Sequence, residues 1–168
     1  MNKELSPIPY YNVLSIIRGT TVDGPGFRTS IYLAGCSHHC IGCHNPQSWD
    51  PLAGDKMTLE EIMAIVEEED FNVTLSGGDP LYHPEATGLL IKTLKRNRRN
   101  VWVYTGYLWE DILSSPILYS AIKEADVIVD GEYIEKLRNL DLPFRGSSNQ
   151  RIIDIQKSLA TGEIILFD

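Results

Sequence analysis

Three cysteines fall within eight residues of one another, Cys36, Cys40 and Cys43, and the 168-residue chain has no others. They lie in Gly35-Cys36-Ser37-His38-His39-Cys40-Ile41-Gly42-Cys43-His44-Asn45-Pro46, with the spacing C-x3-C-x2-C. Whatever the chain folds into must present three thiols on one short loop. An odd number on one loop is not a disulfide framework and points to a reducing compartment. Three thiolates hold a metal centre without completing a four-ligand one. A [4Fe–4S] cluster usually takes four cysteines; held by three, it leaves one iron open to a small molecule. An open position is the mark of a catalytic centre rather than a structural one. The other reading is a zinc knuckle, Cys3His, completed by His38, His39 or His44.

The rest of the chain can build a core around that loop. It is 43% apolar and 23% charged, ordinary values for a single soluble domain spanning residues 1–168. No apolar run approaches the roughly 20 residues that cross a membrane. The first residues lack the apolar core of a signal peptide, so the expected location is the cytoplasm. A net charge of −8 argues against a nucleic-acid partner. One basic cluster, Lys92, Lys95, Arg96, Arg98 and Arg99, reads as a helix C-terminus complementing the helix dipole. Its alternative is a docking patch for an acidic electron donor.

Hydrophobic periodicity alternates between strand and helix, which implies an α/β fold with a mostly parallel sheet. Strands are expected at 12–17, 29–34, 71–75, 101–104 and 127–129. A capping box of Thr58 and Glu61 opens a helix whose stripe is Leu59, Ile62, Met63 and Val66. Pro84 starts the next helix, and a further helical region over 108–123 breaks at Pro116. Alternating segments at 151–156 and 163–167 suggest a C-terminal β-hairpin. An eight-unit βα barrel needs about 250 residues, so a chain of this length fits only a partial, open (β/α) barrel.

Cys36, Gly77-Gly78, Thr105-Gly106 and Asp130-Gly131 all follow the ends of expected strands. In parallel sheets that edge binds ligands, so these segments are expected on one rim. Gly77-Gly78-Asp79-Pro80 lets backbone approach a ligand and offers a carboxylate to an ammonium group; taken alone it reads as a turn. Asp23-Gly24-Pro25-Gly26 is a turn, followed by Arg28, a candidate for a carboxylate ligand or an ion pair. Thr105 reads as a capping or turn residue, and Asp130 as a buried strand-end carboxylate with a better functional case. Arg145-Gly146-Ser147-Ser148-Asn149-Gln150-Arg151 reads as an exposed loop or a partner contact. Trp102, Tyr104, Tyr107 and Trp109 read as core and rim packing.

The cysteine loop after an early strand, followed by a Gly-Gly-acid turn after the next, resembles the radical S-adenosylmethionine enzymes. The stretch from Asp23-Gly24-Pro25-Gly26 through Cys43-His44-Asn45-Pro46 to Trp49 looks like the activating enzymes of glycyl-radical enzymes. Three further segments narrow the resemblance to the activases of the anaerobic ribonucleoside-triphosphate reductase: Ser76-Gly77-Gly78-Asp79-Pro80-Leu81, Tyr104-Thr105-Gly106-Tyr107, and Val129-Asp130-Gly131 with Arg145 to Gln150. It covers about residues 13 to 151. Gly42 stands where the wider superfamily has an aromatic residue near the adenine, and the reductase activases share that glycine.

The resemblance implies a [4Fe–4S] cluster on Cys36, Cys40 and Cys43, with S-adenosylmethionine on the open iron. It implies that Gly77-Gly78-Asp79 receives the amino group, that Gly42, Cys43 and His44 lie along the cofactor, and that Asp130 sits at its far side. Reductive cleavage to a 5′-deoxyadenosyl radical would generate a glycyl radical on the large subunit of the anaerobic reductase, with a donor such as a flavodoxin supplying the electron. Two alternatives stay open at this point: an activase of another glycyl-radical enzyme such as pyruvate formate-lyase, and a zinc-binding interaction module.

Overall fold

The computed structural model describes residues 9–168. Seven strands and five helices form from them: β1 (Tyr10–Thr20), β2 (Arg28–Leu33), β3 (Asp55–Thr58), α1 (Leu59–Glu69), β4 (Asn72–Gly77), α2 (Pro84–Arg96), β5 (Val101–Tyr104), α3 (Trp109–Ser114), α4 (Pro116–Ile122), β6 (Val127–Asp130), β7 (Arg151–Asp154) and α5 (Ile155–Thr161). One mixed sheet has the order β3-β1-β2-β4-β5-β6-β7. The pairings β2–β4, β4–β5 and β5–β6 are parallel. Those of β1 with β2 and β3, and of β6 with β7, are antiparallel. The sheet is therefore parallel at its centre and antiparallel at both edges, rather than mostly parallel.

Strand alternation divides the sheet into two unlike faces. Ile31, Leu75, Val103 and Ile128 are fully buried and pack with Ile62, Val66, Leu90, Ile91 and Ile122 of the helices. Burying each aliphatic side chain of this size stabilises the fold by about 1.5–3 kcal/mol. The opposite face carries Trp102, Val127 and Val129 with Tyr104, Phe144 and Ile152. Arg28, at the start of β2, is 1% exposed and lies over the Trp102 ring, 5.4 Å from its centroid.

Local signals hold where they were strongest. Thr58 and Glu61 form the reciprocal capping box of α1, and Pro116 separates α3 from α4, whose first turn is capped by the Ser115 side chain. Two elements differ from the sequence expectation. β3 is a short polar edge strand, defined by its register against Tyr10–Val13. The expected terminal hairpin is instead β7, then α5, then a single bridge between Ile153 and Leu166. Asp154 caps α5 by accepting from the Lys157 amide, and Gly162 closes it at φ 75°. These two caps turn an alternating segment into a helix.

The basic cluster sits at the end of α2, beside the start of β5, at the opposite edge of the sheet from the cysteine loop. Lys95 pairs with Asp126 at 2.6 Å and Arg99 with Asp70 at 2.5 Å. No helix formed by the described residues is long and apolar enough to cross a membrane.

Candidate metal centre at the strand rim

Because β2, β4, β5 and β6 run the same way, their C-terminal ends share one edge, as the spacing of the motifs predicts. A cavity of about 210 Å³ opens there. Cys36, Cys40 and Cys43 line it together with Gly77, Gly78 and Gly106. The glycines are required. A Cβ at Gly78 would run into the Gly35 carbonyl, and one at Gly106 would lie 2.6 Å from the His38 ring. A larger cavity of about 770 Å³ lies on the other side of the Asp79-Pro80 turn, beside Tyr10, Asn12, Leu52 and Tyr82. No cysteine lines it, so the chemistry of the donor set places the site in the smaller one.

The three thiols are free and half-buried. Burial pushes the Cys36 and Cys40 thiols above the ordinary range, because a thiolate loses hydration there. A bound metal reverses that balance by taking the thiolate directly, with release of the proton. The donor set fits an iron–sulfur cluster: three cysteines, one wall of bare backbone, and room beside them. Among the described residues, no three His, Cys, Asp or Glu side chains form a ready-made single-ion site.

The histidines are also committed elsewhere. His38 places Nε2 2.8 Å from Asp79 Oδ2 and Nδ1 2.9 Å from Glu132 Oε1. His39 stacks on Trp49 at 4.5 Å, and its backbone is left-handed at φ 49°. His44 lies 4.9 Å from the Tyr133 ring. The hydrogen bond to Asp79 is the main cause of a raised His38 pKa, with burial opposing it and Glu132 adding to it.

The sequence-predicted residues divide clearly. Cys36, Cys40, Cys43, His44, Gly77 and Gly78 all line the cavity. Gly42 sits in the loop at φ 76°, where a Cβ would collide with the Glu135 carboxylate. Asp79 is buried, and its carboxylate faces its own protein. Oδ2 accepts from Thr105 Oγ1 at 2.9 Å and from the Gly106 amide at 3.0 Å, while Oδ1 accepts from the Leu81 amide at 2.8 Å. With His38, four donors reach it.

Asp130 is not brought to the cavity. It shares the helix-packed face with Ile128, two residues before it, and is fully buried. Its carboxylate accepts from the Trp109 amide at 2.8 Å and pairs with Arg151 at 2.5 Å. The far-side role expected of Asp130 therefore has no geometric support. Arg28 likewise binds neither a ligand nor a carboxylate. It donates to Thr74 Oγ1, the Val73 carbonyl and the Asn100 carbonyl and side chain. Burial lowers its pKa to about 10.

Sequence reasoning missed several residues here. The 145–151 segment is not a free surface loop: Gly146 and Gln150 line the cavity. The Gln150 side chain accepts from the Gly146 and Ser147 amides and donates to the Gly131 carbonyl. Glu132 and Tyr133 enter with Gly131 from the end of β6. Nothing in their local sequence marks them; only their place beyond a buried strand on the rim does.

Comparison with known proteins agrees with this assignment of chemistry. Residues 22–153 match the family described as a 4Fe-4S single cluster domain. The chain is 35% identical over 139 residues to the anaerobic ribonucleoside-triphosphate reductase-activating protein of Enterobacteria phage T4, covering 78% of this chain and 86% of that one. It is 33% identical over 142 residues to the protein of the same name from Escherichia coli (strain K12), covering 77% and 89%. With that of Haemophilus influenzae it shares 32% over 152 residues, 84% of this chain and 96% of the other. Three cysteines on one rim loop, a cluster-domain match over most of the chain and this identity over nearly whole relatives lead to one conclusion: the chain belongs to the anaerobic ribonucleoside-triphosphate reductase-activating protein family, a family of iron–sulfur activating enzymes.

Proposed function

We propose that this protein generates the glycyl radical of an anaerobic ribonucleoside-triphosphate reductase, using a [4Fe–4S] cluster on Cys36, Cys40 and Cys43 and S-adenosylmethionine at the open iron. Held there, the cluster and S-adenosylmethionine would supply the hard chemistry: one-electron reductive cleavage of the sulfonium to methionine and a 5′-deoxyadenosyl radical that would take a hydrogen atom from a glycine Cα of the reductase large subunit.

The protein's own residues provide position and shelter. The thiols fix the centre at the end of β2. The Gly77-Gly78 backbone, facing them across the cavity, receives the amino acid end of the cofactor. Gly42 to His44 lie along it, with Tyr133 beside His44. Gln150 pins the β6–β7 connection over the opening, which limits water around a reactive species. Hydrogen abstraction needs no nucleophile or general base. We read the sheet as a partial, open barrel of the radical S-adenosylmethionine type within a single domain, whose open side admits a loop of the protein substrate. A flavodoxin-like donor and a cytoplasmic setting complete the reading.

The observation that carries it is the three half-buried thiols sharing one cavity at the strand rim with glycines that admit no Cβ. The test is anaerobic reconstitution with iron and sulfide, followed by dithionite and S-adenosylmethionine. The expected results are 5′-deoxyadenosine and, with the reductase present, a glycyl-radical EPR signal. Zinc uptake without iron, or no 5′-deoxyadenosine, would refute the chemistry. A glycyl radical on pyruvate formate-lyase and none on the reductase would change the target.

A further inference from the structure

We infer that His38 is a positioning residue: its imidazole is a cross-brace that holds the cysteine loop in register with the Gly77-Gly78-Asp79 turn before any cluster is bound. The inference rests on the proposed function for what the loop carries, but its geometry stands on the protein alone.

Besides His38, the loop is held by the His39–Trp49 stack and by backbone amides that reach the Cys36 and Cys40 thiols. Among the described residues, no backbone amide from Ser37 to Gly42 donates to another backbone group; the nearest such bonds are those of Cys36 to the Trp49 carbonyl at 3.4 Å and of Cys43 to the Cys40 carbonyl at 3.1 Å. Both belong to the ends of the loop. His38 lies in the middle, with a side chain only 11% exposed. One ring nitrogen reaches Asp79 after β4, and the other reaches Glu132 after β6. Asp79 in turn holds Thr105 and Gly106 after β5. A single imidazole thus links the loop after β2 to the ends of all three other parallel strands. Tyr107 packs edge-on against the ring at 4.7 Å, and Gly106 leaves the space it occupies.

The brace also accounts for Asp79. Three of its four donors converge on Oδ2 and the fourth on Oδ1, so its carboxylate acts through His38 and the turn. The Gly77-Gly78 backbone then faces the cysteines at a distance set by this brace rather than by the cofactor. Groups that hold metal ligands in place are commonly worth about tenfold to a hundredfold in metal affinity.

The test uses the full chain in three variants, with two readouts that do not depend on turnover. The first is amide hydrogen exchange of the metal-free protein. The second is the amount of cluster taken up at limiting iron and sulfide, with the EPR spectrum of the reduced cluster before and after S-adenosylmethionine. For His38→Ala we expect faster exchange at the Cys36 and Cys43 amides, whose bonds close the two ends of the loop, with unchanged exchange in β4 and β5. Cluster uptake falls by about tenfold or more, and the spectral change on adding S-adenosylmethionine shrinks. His38→Gln keeps one donor toward Asp79 and loses the bond to Glu132, so it should behave like Glu132→Ala, with a smaller effect of the same kind. Glu132 is 53% exposed, so Glu132→Ala keeps the test decisive if His38→Ala does not fold. Unchanged exchange at the Cys36 and Cys43 amides in Glu132→Ala, or unchanged exchange and uptake in His38→Ala, overturns the brace. If the wild-type protein takes up no iron, the proposed function fails, while exchange of the metal-free variants still decides the role of His38.

Discussion

Two buried aspartates follow strands on the same edge of the sheet, and the protein uses them in opposite ways. Asp79, after β4, gathers His38, Thr105 and two backbone amides around the cysteine loop. Asp130, at the end of β6, joins Arg151 of β7 to the first turn of α3. Arg151 also reaches the exposed Glu110 at 2.8 Å, and this bond lowers the Glu110 pKa while both carboxylates raise that of Arg151. The first aspartate organises a site; the second ties an edge strand to a helix. Burial and strand-end position are common to both. What differs is the set of donors that reaches each side chain, so a buried carboxylate on a ligand-binding rim is not by itself a ligand.

The sharpest way to break this comparison is to remove the metal donors on one side only. Cys36→Ala should abolish iron uptake while leaving the far-ultraviolet circular dichroism and the thermal midpoint of the metal-free protein essentially unchanged. Loss of the fold instead would mean that the loop is structural. Next in size is Asp79→Ala, which orphans four donors at once. It should destabilise the protein by about 3–5 kcal/mol in urea unfolding and also reduce cluster content. Asp130→Ala leaves Arg151 and the Trp109 amide without their buried acceptor. A cost of about 3 kcal/mol is expected, with cluster content per folded protein equal to wild type. A drop in iron there would erase the distinction between the two aspartates. The smallest effect belongs to Glu110→Gln, because that carboxylate is 56% exposed. Its contribution to stability should stay below about 1 kcal/mol and shrink further in high salt.

Much of the frame was legible because it is written in short-range signals. The capping box at Thr58 and Glu61, the stripe of Ile62, Met63 and Val66, and the break at Pro116 depend only on neighbours a few residues away. β3 and α5 escaped for the same reason in reverse. Asp55–Thr58 becomes a strand only through its pairing with β1. Ile152, Ile153 and Ile155 suit either a strand or the start of a helix, until Asp154 caps α5 and the bridge from Ile153 to Leu166 closes the tail.

The sequence by itself determined the donor set, its spacing and the glycines that must oppose it, because chemistry of that kind depends on residue identity. It also determined that these segments share a rim, since parallel strands place their ends on one edge. Only the tertiary structure decided which polar residues face the cavity. A carboxylate's role depends on the donors that reach it, and those of Asp79 come from positions 38, 81, 105 and 106. The three cysteines are consecutive in the chain's logic; the imidazole that holds them opposite Gly77 and Gly78 acquires its function from partners 41 and 94 residues away.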